Sequence, residues 1–224
     1  MNTQQNADMK KINLKVCGLT RISQVQELVR MNTDYLGFIL YEKSPRYVLN
    51  HLSLEEIAAV NHNGKVGVFV NEDIEKVIDF SEKANLNYIQ LHGDESETYI
   101  SELRQKLNPE IKIIKVIRIG QQTTVHQKKD LLTLINPIKD KVDYLLFDTD
   151  SKAYGGTGKH FDWSLLNEME IPLPYFLSGG ISEDNIKNME TITQLPFALD
   201  INSKFETEPG IKDVKKIELF KSQL

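Results

Sequence analysis

Eight short apolar segments recur along the chain and are separated by longer amphipathic stretches. The segments are rich in valine, isoleucine, leucine and aromatic residues, which is typical of strands in a parallel sheet buried on both faces. We therefore predict eight strands, at residues 12–17, 35–40, 66–70, 88–91, 111–117, 142–147, 175–177 and 197–199.

The stretches between the strands carry helix signals. Ser53 begins the sequence SLEE, in which Glu56 completes a capping box. Suitable N-cap residues open the first four predicted helices: Thr20 or Ser23, Ser53, Asn71 and Ser96. Four more helices are predicted at residues 124–135, 161–168, 183–189 and 212–221.

Repeated β-then-α units predict right-handed crossovers, in either an open doubly wound sheet or a closed barrel. Eight units favour the barrel, and a length of 224 residues fits one such domain. We predict an α/β protein with a single (β/α)8 TIM barrel over residues 11–224. Residues 1–10 are polar and are expected to form a flexible extension outside the fold.

Composition narrows the class of protein. The chain is 40% hydrophobic and 26% charged, as in an ordinary soluble protein, and its net charge is −5. This charge argues against nucleic acid or an anionic membrane as a partner but permits a small anionic ligand. Cys17 is the single cysteine, so no intrachain disulfide forms. The sequence shows no signal peptide and no apolar span of about 18 residues, so we expect a cytoplasmic protein.

Glycine-rich loops after the sixth and seventh strands predict a phosphate site. Glycine lets the backbone approach a phosphate closely, and barrels commonly bind phosphate at strands seven and eight. The alternative is that these glycines only form tight turns. The candidate residues are Gly155, Gly156 and Gly158, then Gly179 and Gly180. We also expect the loop at residues 149–159 to close over the ligand.

Cys17 ends the first strand, where barrel enzymes place their chemistry. Lys15 lies on the same strand face, and a nearby ammonium or helix N-terminus lowers the pKa of a thiol. The alternative is a small buried hydrophobic residue.

Three other polar residues follow strands. Asp148 can be held partly out of water and act as an acid, or it can serve as a loop or cap aspartate, with Asp150 as a competitor. Arg46, stiffened by Pro45, suits a carboxylate ligand but is also a typical solvated residue. His92 either donates to the substrate or satisfies a loop carbonyl, and the structural role is favoured; Trp163 is expected to contribute to packing.

Motifs along most of the chain, from about Lys15 to Phe220, resemble the phosphoribosylanthranilate isomerase family. They are KVCGLTR, LGFILYEKSPRYV, VGVFVNE, IQLHGDE, LLFDT with GGTGKHFDW, LSGGI and ALDINSKFETEPGIKD. The series of KVCGLTR, SPR and GGTGKHFDW is strongly specific, whereas SGG alone is weak.

The resemblance implies a cytoplasmic barrel enzyme of tryptophan biosynthesis. It would convert N-(5-phosphoribosyl)anthranilate to 1-(2-carboxyphenylamino)-1-deoxyribulose 5-phosphate, an Amadori rearrangement without metal or cofactor. By matching position, Cys17 is the general base, Asp148 the general acid and Arg46 the carboxylate ligand. The phosphate would lie on the loops that carry Gly155, Gly156, Gly158, Gly179, Gly180, Asp200, Asn202 and Ser203.

Some positions depart from the family pattern. The last phosphate loop reads DINSKFE, where the family commonly has two serines and a glycine, so Asn202 and Lys204 are unusual. Lys204 either contacts the phosphate or points to solvent. Asn32 stands where the family usually has glycine, and asparagine tolerates the left-handed conformation.

Two other functions remain open at this point. A related aminoaldose isomerase of the histidine pathway would carry an aspartate on the first strand, where this chain has Cys17. A non-catalytic phosphate-binding module would not need Cys17, Asp148 and Arg46 together. The sequence does not distinguish a monomer from a homodimer; the expected partner is a small phosphorylated substrate.

Overall fold

A computed structural model describes residues 12–120, 128–149 and 162–224, with the side chains of 128–130 left out. Eight parallel strands form a closed barrel in sequence order, and β1 pairs with β8 to close it. The strands are β1 Asn13–Val16, β2 Tyr35–Ile39, β3 Lys65–Phe69, β4 Tyr88–Leu91, β5 Lys112–Ile119, β6 Tyr144–Thr149, β7 Tyr175–Leu177 and β8 Ala198–Ile201. The predicted (β/α)8 barrel is confirmed. The predicted extension at residues 1–10 lies outside the described residues.

Within the described ranges, six α-helices and several 3₁₀ segments connect or follow the strands. The α-helices are α1 Ile22–Arg30, α2 Leu54–Ala58, α3 Ile74–Lys83, α4 Glu97–Lys106, α5 Lys128–Ile135 and α6 Val214–Lys221. The segments after β6 and β7, predicted as helices, are the 3₁₀ segments Trp163–Glu168 and Ile186–Thr191. Their buried residues recur every third position (163, 166 and 169; 189 and 192), and this spacing suits the three-residue turn of a 3₁₀ helix.

Helix caps follow the prediction in two cases and differ in two. Ser53 forms the complete capping box of α2, and Ser96 caps α4 by accepting a hydrogen bond from Tyr99 N–H. The predicted cap of α1 was wrong, because the Thr20 hydroxyl donates instead to the Gly210 carbonyl at 2.6 Å. Asp73, not Asn71, caps α3.

The interior of the barrel has an apolar lower part and a polar upper part. Tyr35 packs edge-on against Phe176 at 5.3 Å between ring centroids, within the apolar part. The other buried members of this part are Val66, Ile114, Val116, Leu146 and Ala198. Nearer the carboxyl ends of the strands, the buried side chains of Lys15, Gln90 and Asp200 replace apolar residues. The apolar residues thus form a packed base inside the barrel. The buried polar side chains of Lys15, Gln90 and Asp200 form a polar floor above it.

A short antiparallel hairpin follows β8 and precedes α6. It consists of β9 Glu206–Glu208 and β10 Ile211–Lys212. Its position beside the last barrel strand brings Glu206 and Lys212 to the carboxyl end of the barrel. Among the described residues, no helix is both long and apolar enough to span a membrane.

Candidate active site

A cavity at the carboxyl ends of the strands collects the described residues that the sequence singled out. Its volume is about 790 Å³ with the open mouth included. It is lined by Cys17, Arg46, Asp148, Gly179, Gly180, Asp200, Asn202 and Ser203, together with His92 and Lys204. Gly155, Gly156, Gly158 and nearly all of the loop predicted to close lie outside the described residues.

Cys17 is buried directly beyond the end of β1, and its N–H donates to the Ile201 carbonyl at 2.9 Å. Gly37 on β2 makes room for the thiol, because a Cβ at that position would lie 2.9 Å from the Cys17 sulfur. A larger residue on this face of β2 would therefore displace the thiol from the cavity.

The pKa of the Cys17 thiol depends on burial and on three neighbouring charged groups. Burial raises the pKa of the thiol, and the Asp200 carboxylate raises it further, while Lys15 and Lys212 lower it without outweighing burial. The Lys15 ammonium thus lowers the pKa of the thiol, as expected. The expected helix N-terminus is not adjacent, because α1 begins only at Ile22. The sequence left the pKa of the thiol open, and burial is the influence that it did not reveal.

Lys15 and Asp200 form an ion pair inside the barrel, with 2.8 Å between Nζ and Oδ2. Burial opposes the charged form of Lys15, but Asp200 and Cys17 outweigh it and raise the pKa of the ammonium. Burial also raises the pKa of Asp200 against the opposing effect of Lys15. That the loop from Asp200 to Ser203 binds phosphate through its backbone amides stays a prediction, while the Asp200 carboxylate itself is engaged by Lys15. Its side chain is better assigned to holding Lys15.

Asp148 lies near the end of β6 with its carboxylate at the cavity. Thr149 N–H donates to Oδ1 at 2.9 Å, and Nε2 of His92 lies 3.3 Å from Oδ2. His92 was expected to satisfy a loop, yet it contacts the predicted acid. The sequence did indicate that His92 lies on the same side as the barrel interior. Side chains alternate in direction along a strand, and Tyr88, Gln90 and His92 are two residues apart, so they share one face of β4.

Arg46 follows β2 and has a protein carboxylate as its partner. Its Nε and Nη2 atoms donate to Glu206 at 2.7–3.0 Å. Lys212 also contacts Glu206, at 2.5 Å. Burial opposes ionisation of Glu206, but Arg46 and Lys212 outweigh it and lower the pKa of this carboxyl. Glu206 and Lys212 lie in the motif ALDINSKFETEPGIKD, but the sequence assigned them no role. Glu206 holds the guanidinium at the cavity wall, where a ligand carboxylate could share it.

The loops after β7 and β8 form another wall of the cavity. Gly179 and Gly180 have φ values of +89° and +73°, and a Cβ on Gly179 would lie 2.3 Å from Thr149 Oγ1. Only glycine fits there, so the backbone is open to close approach by a ligand. Asn202 Oδ1 accepts from Lys212 Nζ at 2.7 Å, while Ser203 and Lys204 line the cavity.

The site combines a thiol, a carboxyl group, a guanidinium and glycine-bearing loops in one cavity. These groups suit acid and base chemistry on an anionic ligand. Within the described ranges, no group of three histidine, cysteine or acidic residues is arranged to hold a metal ion.

Comparison with known proteins finds similarity along most of the chain. The family model described as N-(5'phosphoribosyl)anthranilate (PRA) isomerase matches residues 14–223. A relative named N-(5'-phosphoribosyl)anthranilate isomerase, from Parabacteroides distasonis, is 35% identical over 215 residues, which cover 94% of this chain and 92% of the relative.

Solved structures agree in fold as well. Phosphoribosyl anthranilate isomerase of Thermotoga maritima is 30% identical with a TM-score of 0.75, covering 95% of this chain and 100% of that one. A second structure is a phosphoribosyl anthranilate isomerase in complex with reduced 1-(o-carboxyphenylamino)-1-deoxyribulose 5-phosphate; it is 29% identical with a TM-score of 0.71, covering 94% of this chain and 97% of that one. The chain belongs to the N-(5'-phosphoribosyl)anthranilate isomerase family.

Proposed function

We propose that this chain carries out the reaction of its family through Cys17 as general base and Asp148 as general acid. The reaction converts N-(5-phosphoribosyl)anthranilate to 1-(2-carboxyphenylamino)-1-deoxyribulose 5-phosphate. The observation that supports these roles best is that both side chains line one cavity together with Arg46 and the glycine loop after β7. A related isomerase is known with the reduced product bound, which matches this ligand chemistry.

The chemistry follows from the groups present. Asp148 protonates the furanose ring oxygen as the C1–O bond breaks, and the nitrogen lone pair forms an iminium at C1. The iminium acidifies the proton on C2, which Cys17 removes to give an enolamine. The enolamine then tautomerises to the ketone. The acid must begin protonated and the base must act as thiolate, which two groups of different chemical type can satisfy.

The raised pKa of Cys17 in the free protein fits this sequence of steps. A buried thiol without ligand stays protonated, because burial penalises the thiolate. The iminium is a cation formed next to the proton that the base removes, and a neighbouring cation favours the thiolate. We propose that the iminium formed by ring opening favours loss of the Cys17 proton to solvent at the open mouth of the cavity, and that the resulting thiolate then takes the C2 proton.

The two anionic ends of the substrate have separate candidate partners. Arg46 is held by Glu206 at the cavity wall and would take the anthranilate carboxylate through its remaining donors. Gly179, Gly180 and Ser203 would take the phosphate through backbone N–H groups, with Lys204 as an added charge. We further propose a cytoplasmic monomer or homodimer that binds no nucleic acid, on the grounds of its net charge of −5 and phosphorylated substrate.

The test is turnover of freshly generated phosphoribosylanthranilate, followed by the loss of its fluorescence. Cys17→Ala, Cys17→Ser and Asp148→Asn should each lower the rate at least ~100-fold, because each removes a proton-transfer group. Asp143→Asn is the matched control, since Asp143 lies just before β6, at the opposite end from Asp148, and binds the Ile113 N–H at 2.9 Å.

Three outcomes decide the proposal. A fast wild type with crippled but folded Cys17 and Asp148 variants supports the reaction and both roles. A wild type that binds the phosphorylated product but does not turn over substrate would instead favour a binding module. A fast Cys17→Ala variant would leave the reaction standing and rule out Cys17 as the base.

A further inference from the structure

A series of polar contacts crosses the barrel from Lys15 to Asp148: two hydrogen bonds, and then a close approach of His92 to the Asp148 carboxylate. Lys15 Nζ donates to Gln90 Oε1 at 2.8 Å. Gln90 Nε2 lies 2.9 Å from His92 Nδ1, and His92 Nε2 lies 3.3 Å from Asp148 Oδ2. Lys15 also lies two residues from Cys17 and lowers the pKa of its thiol. Lys15, Gln90 and His92 therefore form a series of polar side chains between the two groups assigned to proton transfer.

The direction of these hydrogen bonds is determined by Lys15. An ammonium has donors only, so the Gln90 oxygen must face it and the Gln90 NH₂ group must face His92. The NH₂ group has donors only, so Nδ1 of His92 must carry the lone pair. In a neutral ring the proton then resides on Nε2, directed at Asp148. Gln90 is 1% exposed, so solvent offers no alternative partner that would reverse its amide.

The tautomer of His92 matters for an acid at Asp148. With the proton on Nε2, the ring donates to Oδ2 and stabilises the carboxylate that forms once Asp148 has given up its proton. With the proton on Nδ1, the lone pair of Nε2 would face Asp148 and accept its proton. That arrangement would direct the acid's proton to the imidazole rather than to the substrate.

We propose that Gln90 is a positioning residue: anchored by Lys15, it holds neutral His92 as the Nε2–H tautomer and so leaves the proton of Asp148 available to the substrate. The inference rests on the proposed role of Asp148 as the acid. Asp200 contributes indirectly, because its ion pair with Lys15 holds the ammonium against Gln90. Gln90 touches no reacting atom in this scheme.

The test uses Gln90→Glu, a change of one amide group to a carboxylate of the same shape. The carboxylate can still accept from Lys15, but it presents an acceptor to His92 Nδ1. The ring must then carry a proton on Nδ1, either by changing tautomer or by becoming charged. A second variant, Gln90→Leu, removes the connection altogether and leaves the tautomer unspecified.

The first readout is ¹⁵N NMR of the imidazole nitrogens in the full-length protein without ligand, which distinguishes the two tautomers and the charged ring. The His92 signals are assigned by their loss in His92→Gln. His62 is an internal reference, because Gly64 N–H donates to its Nδ1 at 2.9 Å and its Nε2 faces the Thr33 carbonyl at 2.8 Å. Its backbone partners fix the same Nε2–H tautomer, and no Gln90 variant should change it.

The second readout is kcat and KM per folded molecule. We expect kcat to fall about 10- to 100-fold in Gln90→Glu, part of the ~10²–10⁴-fold effect of a general acid, with KM within about twofold. The matched control is Gln194→Glu, which makes the same change at a glutamine bonded to the Ile171 backbone at the opposite end of the barrel. It should leave kcat and the His92 signals unchanged.

The outcomes separate this inference from the proposed function. A wild-type His92 with its proton on Nδ1, or a Gln90→Glu spectrum and kcat equal to wild type, would overturn the role of Gln90. A changed tautomer with an unchanged kcat would overturn its connection to the acid. An inactive wild type would remove the proposed function, while the NMR result would still decide how Gln90 holds His92.

Discussion

At the scale of single residues, burial is the strongest influence on the groups that carry charge in this site. It raises the pKa of both Cys17 and Asp200, although a cation lies beside each of them. The neighbouring ammonium groups of Lys15 and Lys212 reduce the effect on Cys17 without reversing it. The thiol is therefore the resting form, and its reactivity should depend on pH and on these two lysines.

The first prediction concerns alkylation of Cys17. Because its pKa is raised, the thiolate appears only at higher pH than in a free thiol, and the alkylation rate by iodoacetamide should rise at correspondingly higher pH. Lys212→Met removes a cation that lowers this pKa, so alkylation at a fixed pH should slow severalfold, roughly tenfold per pKa unit. Glu206 keeps Arg46 as a partner in this variant.

The control for this experiment is Lys216→Met, the same change four residues on, where the ammonium donates to the Lys204 carbonyl instead. Its alkylation profile should match wild type. A Cys17 that reacts at neutral pH faster than a free thiol would contradict the raised pKa.

At the scale of elements, the hairpin β9–β10 is bound to the loop after β2 through Glu206. Glu206, which is 4% exposed, accepts hydrogen bonds from Arg46 and Lys212. The pair of Arg46 and Glu206 is 160 residues apart in sequence, so a single carboxylate connects two distant βα loops.

The second prediction is that Glu206→Gln destabilises the fold by about 3–5 kcal/mol at pH 7, since it leaves two buried cations without a counter-charge. The pKa of Glu206 is lowered by folding, so its contribution is fully present above the ordinary value of 4.5 and is lost as pH falls through the lower, folded value. Urea unfolding at pH 7 and at successively lower pH measures both effects.

Glu208→Gln supplies the comparison, because Glu208 is exposed on the same strand and should change stability by less than ~0.5 kcal/mol. If Glu206→Gln lost as much stability at low pH as at pH 7, the assigned ion pair would be wrong.

A third prediction tests helix capping within a single helix. Ser96 accepts from the Tyr99 N–H at the start of α4, whereas Ser101 lies inside α4 and donates to the Glu97 carbonyl. Ser96→Ala should cost about 1 kcal/mol, and Ser101→Ala should be neutral or slightly stabilising, because alanine is the better helix former there. Thermal and urea unfolding of the two variants would show equal effects if the cap contributed nothing.

The sequence predicted the elements closely but only part of the site. Each strand lies within two residues of its predicted bounds, because each buried strand reads as its own apolar run. The two helices predicted before β7 and β8 were wrong, since their buried residues at 163, 166 and 169, and at 189 and 192, follow a period of three that resembles one side of an α-helix. A segment this short does not distinguish the three-residue period of a 3₁₀ helix from the period of an α-helix.

The parts of the site that escaped prediction depend on partners far away in the chain. Cys17, Asp148 and Arg46 were predicted because each follows a strand within a recognisable motif. Gln90 and Glu206 lie within quoted motifs but were given no role there, because their partners are distant: Gln90 meets Lys15 across 75 residues and Glu206 meets Arg46 across 160. Only the folded barrel brings the members of each pair together, so no local sequence pattern predicts these contacts.

At the scale of the whole molecule, stability and chemistry occupy opposite ends of the barrel interior. The aromatic rings of Tyr35, Tyr144, Phe176 and Phe197 pack below the polar floor. The titratable groups lie above it, at the carboxyl ends of the strands. This division is expected for barrels, in which the lower face maintains the fold and the upper face carries the reaction.

The final prediction follows from this division. Phe176 is fully buried and makes edge contacts at 5.3 and 5.6 Å with Tyr35 and Tyr144, so Phe176→Ala should cost about 3–5 kcal/mol through the cavity that it leaves. Phe176 is two residues from Ser178 on the same strand face, yet kcat/KM per folded molecule should stay within about threefold of wild type. If Phe176→Ala does not fold, Phe176→Leu leaves a smaller cavity and permits the same measurement. A large fall in kcat/KM of the folded fraction would mean that the packed base also sets the geometry of the acid and base above it, and that the two ends of the barrel are mechanically coupled.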